Sequence, residues 1–172
     1  NIGLPGFWPH AVLVIGSEAE RRAYFATPEV QTWVRTQGQA DGDFEVLLKA
    51  REPDAYAASA KPLHGEVTRT IEAISDGVSF NSLEAAGEAD SLVVLRPRLT
   101  KAEKAQAILR AYHYTGRPYD FDFDFRTDSA LVCTELVYKA YEPAKDYRGL
   151  TWPTVTMLGR PVLPANEIAR LF

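Results

Sequence analysis

The apolar residues of this chain change period repeatedly along its length, and strand and helix patterns do not alternate in strict turn. Pro9 to Gly16 sets His10, Val12 and Val14 against Ala11, Leu13 and Ile15, which predicts a strand buried on both faces. Thr27-Pro28-Glu29 supplies a cap, a proline at the first helical position and an acid, so a helix is expected from Pro28 to about Gln37. Helical spacing from Phe44 to Ala60 is broken at Pro53, which should kink or split it. Val67 to Ile74 reads as a second strand, ended by the turn signal Ser75-Asp76-Gly77, and Ser91 to Arg96 as a third, closed by Pro97. Thr100 caps an amphipathic helix with Ala102, Ala105, Ile108, Leu109 and Tyr112 on its apolar face, and Gly116-Arg117-Pro118 stops it. An aromatic and acidic run from Tyr119 to Phe125 follows, and Asp128 or Ser129 can cap the helix carrying Cys133, Leu136, Val137 and Ala140. A short helix is expected from about Ala165 to Leu171. This order predicts an α+β fold with a small, largely antiparallel sheet.

A chain of 172 residues can build one proper core and is short for two, so residues 1–172 are expected to form a single domain. With 19 basic against 23 acidic residues, the net charge of −4 gives no electrostatic reason to expect nucleic acid. No apolar run approaches the ~20 residues of a membrane span. The chain opens at Asn1 rather than Met, so a native start is expected to have been removed, along with any signal or lipid anchor. The compartment therefore cannot be read, and one cysteine excludes an internal disulfide.

Three residues stand out chemically. Cys133 is placed about one turn into its helix, where unpaired N–H groups and the helix dipole favour an anionic sulfur and can hold an oxyanion. The same position also suits a small apolar space-filler. His10 sits in an apolar strand, where a histidine needs partners on both ring nitrogens. Glu72 is a carboxylate in the middle of a strand, either facing solvent beside Thr70 or orienting a base histidine. Glu135, two residues past Cys133 on a helix, points away from it. His64 and His113 read as solvated. Three scattered histidines and one cysteine have no metal-ligand spacing, and no cofactor is implied.

Together these segments resemble a family. Gly3-Leu4-Pro5-Gly6-Phe7-Trp8-Pro9-His10-Ala11 is similar to the histidine motif of the permuted NlpC/P60 proteins, the YiiX/YaeF-like papain-fold amidases. Thr70-Ile71-Glu72-Ala73 with Gly77-Val78 resembles the middle motif. Arg117-Pro118-Tyr119-Asp120-Phe121 and Val132-Cys133-Thr134-Glu135-Leu136-Val137 resemble the cysteine segment. The resemblance implies a circularly permuted papain-like fold, with the cysteine helix packed against the sheet and a Cys133–His10–Glu72 triad. It also implies a cysteine peptidase or amidase working through a thioester. Trp8, Tyr119 and Thr134 are the candidate substrate contacts, although Tyr119 equally reads as a packed aromatic. The family usually opens with a strand resembling Gly-Asp-Ile-Leu, and nothing here matches it. The expected substrate is a peptide or isopeptide amide, with cell-wall peptides the family's usual one. The alternatives are an acyl ester, as in relatives similar to lecithin retinol acyltransferase, and a binding module without turnover.

Overall fold

The computed structural model describes residues 7–120, 131–157 and 160–172. The sheet is a three-stranded antiparallel one in the order β1 (Leu13–Val14), β2 (Thr68–Ile74), β3 (Gly77–Ser82). Leu13 lies opposite Ile71, and β2 turns into β3 through Ser75-Asp76, pairing Glu72 with Ser79 and Thr70 with Asn81. Between β1 and β2 the chain makes α1 (Glu18–Phe25), α2 (Pro28–Thr36), α3 (Phe44–Arg51) and α4 (Pro53–Ser59). Pro53 opens α4 at a position where its missing N–H costs nothing, so the proline splits the helical run as expected. After β3 come α5 (Leu83–Ala86), α6 (Lys101–His113) and α7 (Cys133–Tyr141). A two-stranded ribbon, β4 (Val155–Met157) with β5 (Arg160–Val162), and α8 (Ala165–Arg170) complete the chain.

Side-chain caps fix most of the longer helices. Ser17 and Glu20 form a reciprocal capping box on α1, Thr100 and Glu103 form one on α6, and the Asp43 carboxylate accepts from two amides of α3. A bidentate ion pair ties α1 to α3: Arg21 Nε donates to Glu45 Oε1 at 2.7 Å and Nη2 to Oε2 at 2.9 Å, both residues being buried. The main core gathers Val30, Val34, Leu47, Leu48, Ile71, Ala111, Tyr112 and Leu136. A second cluster joins Val137, Trp152, Leu163 and Ile168. Helix α7 lies between them, presenting Leu136 to one and Val137 to the other, and this is why its first five residues are all buried.

Several sequence expectations are corrected. The strand at Pro9 to Gly16 shortens to Leu13–Val14 and is buried on one face only. Leu13 and Ile15 point inward while Val14 is 54% exposed, because β1 is an edge with solvent behind it. Ser91 to Arg96 has strand-forming residues but no partner among the described residues, and a strand exists only through its neighbour. Cys133 is the first residue of its helix rather than a turn inside it. The candidate caps Asp128 and Ser129, with the run Phe121 to Phe125, lie outside the described residues. Helices α1 and α5 and strand β3 were not legible from apolar spacing. Among the described residues no helix is long and apolar enough to cross a membrane.

Candidate active site

Strand β2 carries a carboxylate at a position that is 4% exposed, so Glu72 does not face solvent. A buried charge must be matched by donors, and Glu72 has two. His10 Nε2 lies 2.6 Å from Oε2, and Asn81 Nδ2 donates to Oε1 at 2.8 Å. The antiparallel register explains the second donor. Thr70 opposes Asn81 and Glu72 opposes Ser79, so Asn81 and Glu72 stand diagonally on one face of the hairpin. Asn81 is itself fixed, because its Oδ1 accepts from Ser82 N at 2.8 Å. Asn81 escaped the sequence reading because β3 did. The signal was the alternation Val78, Phe80 against Ser79, Asn81 immediately after the Ser75-Asp76-Gly77 turn.

His10 comes from the segment leading into β1, and its side chain is 37% exposed. That segment is pinned at its start, where Trp8 N donates to Asn166 Oδ1 of α8 at 2.9 Å. With Nε2 turned to Glu72, the remaining ring nitrogen, Nδ1, is the one left for Cys133, which lies near enough to act on the titration of this imidazole. The ring's pKa is raised from 6.5 to about 10. Burial alone would lower it, but the interactions with Cys133 and Glu72 and the charges of both outweigh burial. Glu72 moves the opposite way. Burial would raise it, and the bonds from His10 and Asn81 hold it below the usual carboxylate range.

Cys133 reaches this pair because of the chain that precedes it. After α6, Gly116 N donates to Val78 O and Val78 N to Arg117 O, both at 2.8 Å, which adds residues 116–117 to the edge of β3. Two residues on, Leu131 N donates to Pro118 O at 3.0 Å and Asp120 N to Leu131 O at 3.3 Å. The segment is thereby tied to the sheet on one side and to the entry of α7 on the other. Gly77 permits the approach: its φ is +104°, and a Cβ there would stand 2.5 Å from the Arg117 carbonyl oxygen. At the N-cap of α7 stands Val132, which has no oxygen to cap with. The first amides of this helix are therefore left without a side-chain cap, beside Cys133, a residue that is 8% exposed.

The structure thus brings together Cys133, His10 and Glu72, three residues spread over most of the chain. Tyr119 is half-buried and forms a β-bridge with Leu131. Burial raises its phenol pKa, with the charge of Cys133 adding to it, which puts Tyr119 at the rim of the group. Trp8 is half-buried and meets the exposed Phe7 edge to face at 4.7 Å. Thr134 is 2% exposed, so its hydroxyl is closed off from solvent and only its amide belongs to the open end of α7. Glu135 is fully buried. His113 bonds Glu52 at 3.1 Å, and His64 is an exposed loop residue. Among the described residues no three His, Cys, Asp or Glu side chains are grouped as metal ligands.

Comparison with curated proteins and with solved structures returned no match. A family model does match, over residues 4–170, which includes every group of this site. That model describes the permuted papain-like amidase enzymes, in which the chain order of the papain-like parts is rearranged. Histidine first and cysteine last, joined across a small antiparallel sheet, is the order found here. The chain belongs to the permuted papain-like amidase enzymes of the YaeF/YiiX, C92 family.

Proposed function

We propose that this protein is a cysteine hydrolase that cleaves an amide or isopeptide bond, with Cys133 as nucleophile, His10 as acid and base, and Glu72 as the group that orients His10. One observation carries the reading. The thiol at the uncapped start of α7 lies within electrostatic reach of an imidazole that is held at Nε2, 2.6 Å from a buried carboxylate. With the proton resting on His10, the sulfur attacks the carbonyl carbon, a C–S bond forms, and the carbonyl electron pair moves to oxygen. The amides opening α7 hold that oxyanion. As the carbonyl re-forms, the C–N bond breaks and the His10 Nδ1 proton passes to the departing amine. Water then loses a proton to His10 and attacks the thioester, releasing the acid and restoring the pair. Glu72 keeps Nε2 protonated throughout, so that Nδ1 is always the nitrogen that exchanges protons with Cys133.

A second reading is favoured by a specific feature. Phe7 is 68% exposed and meets the half-buried Trp8 edge to face, two residues before His10, and an aromatic pair of this kind suits the chain of an acyl ester. The two readings separate in one experiment. The protein is incubated with matched peptide amides and acyl esters, and intact mass is followed. Because Cys133 is the sole cysteine, an acyl adduct that is lost in Cys133→Ser reports on this site alone. Faster adduct formation from the amides supports the first reading, and faster formation from long-chain esters supports the second. A folded protein that acquires no adduct from either class refutes both and leaves a binding module.

A further inference from the structure

We propose that residues 90–98 form a self-complementary edge through which two copies of this chain pair antiparallel about a two-fold axis. Residues 91–98 follow a bend at residues 89–90 and are neither helix nor turn, and among the described residues no backbone hydrogen bond involves residues 91–97, so their donors and acceptors are open. The side chains alternate at the far end. Leu95 packs on the cluster of Val137, Trp152, Leu163 and Ile168, and Leu99 is 9% exposed, so the odd positions at the far end face inward. The even positions face out: Asp90, Leu92, Val94, Arg96 and Arg98 are all exposed, Leu92 at 64% and Val94 at 75%. With Val93 at 44%, three consecutive aliphatic side chains stand in water. Edges are ordinarily blunted by charge or proline at such places.

The outward face from residue 90 is an acid, two aliphatics and two arginines, in that order. Turned antiparallel on itself with Val93 on the axis, it sets Leu92 against Val94 and Asp90 against Arg96, each pair occurring twice. Among the described residues Asp90 and Arg96 have no ion-pair partner within the chain. Two other arrangements are worse. Shifting the register by one places Asp90 against Pro97 and Ser91 against Arg96, and parallel pairing in register sets like charges together, which destabilises. Pro97 fits the proposed register as well. If the odd positions form the pairs without hydrogen bonds, the nitrogen that lacks a proton points away from the partner. The guanidinium of Arg148 reaches the Arg98 carbonyl at 3.4 Å, which marks where the ladder ends. The occupant of this edge is therefore a second copy, in an isologous contact.

Charge exchange tests the pairing, with sedimentation velocity reading mass and circular dichroism confirming the fold. The wild type should dimerise with rising concentration. Asp90→Arg and Arg96→Asp should each weaken dimerisation tenfold or more, and an equimolar mixture of the two should recover it, because every 90–96 pair across the axis is then opposite in charge. In a Cys133→Ser background, Val93→Cys should cross-link to its own mate on oxidation, since directly opposed residues without hydrogen bonds stand about 4.5 Å apart at Cα. Val14→Cys, on the exposed edge of β1, should not. The proposal is overturned by a monomer at every concentration, or by Val93→Cys linking no faster than Val14→Cys. It is equally overturned by a dimer indifferent to both charge changes, or by an edge that takes up an unrelated extended peptide while the protein stays monomeric.

Discussion

Replacing Glu72 by glutamine preserves the shape of the side chain and removes one acceptor, and the surroundings decide what that does. Asn81 cannot turn over to help, because its Oδ1 is engaged by Ser82 N at 2.8 Å, and Nδ2 must face residue 72. A carboxylate serves both neighbours, since either oxygen accepts. An amide has one oxygen. If it accepts from Asn81, its NH2 group faces His10 Nε2, which must give up its proton, and the tautomer is then wrong for taking a proton from Cys133. If it accepts from His10, two NH2 groups face each other. Either way one charge-assisted hydrogen bond is lost, worth about 1.5–3 kcal/mol. His10 is more than a third open to water, so screening places the value toward the low end. At ~1.4 kcal/mol per tenfold, acylation of Cys133 should slow about 10- to 150-fold in Glu72→Gln. The rate is read as appearance of the acyl adduct by intact mass, with a p-nitrophenyl ester as donor. A specific rescue follows. Asn81→Asp in the glutamine background supplies an acceptor that can take the amide NH2 group and still bind Ser82 N, which returns the amide oxygen to His10. The double variant should acylate several-fold faster than Glu72→Gln. A folded double variant no faster than the single, or a single variant within twofold of the wild type, refutes the orienting role.

The pH dependence carries a sign. The His10 pKa is raised from 6.5 to about 10, so the stability held by its cation is complete below pH 6.5 and is lost as pH rises toward 10. Glu72 acts the other way: its share is present above pH 4.5 and is lost as acid protonates the carboxylate. Urea midpoints of wild type and His10→Gln should therefore converge between pH 6.5 and 10, and parallel curves across that window would contradict the assignment. Gly77→Ala should cost about 1–3 kcal/mol from its positive φ alone. It should also slow acylation by pushing residues 116–120, and with them the entry of α7, away from β3. An unchanged melting temperature in calorimetry would show that the close approach to Arg117 carries no strain.

Sequence and structure part company where an element depends on something distant. The helices at Pro28, Phe44 and Thr100 were legible because their caps and prolines act within a few residues. Helix α1 has the same kind of signal in Ser17 and Glu20, but its charged composition, with Glu18, Arg21 and Arg22, masks the apolar spacing. Strand β3 has weak strand formers at Gly77, Ser79, Asn81 and Ser82 and exists because β2 pairs with it, so register, not propensity, makes it visible. The reverse holds at Ser91 to Arg96, where propensity is high and no ladder forms. At the site, Cys133, His10 and Glu72 were each odd for their position, which drew attention to them. Their meeting was implied by the family resemblance, because no local rule brings together residues 62 positions apart. Asn81 required the hairpin register and so lay beyond both.

The rearranged order of the parts has a consequence for how the protein is made. The ribosome releases His10 first, then Glu72 and Asn81 on a hairpin closed by a two-residue turn, and Cys133 only 123 positions after the histidine. At translation rates of about 5–20 residues per second, that interval is roughly 6–25 s. Over the last 61 of those positions, once Glu72 is made, the emerging chain can assemble the imidazole and its carboxylate while the sulfur has yet to be synthesised. Anything that meets the polypeptide in this period meets a half-site unable to form a thioester. On the proposed mechanism, reactivity is thus switched on late in manufacture, by arrival of the last component.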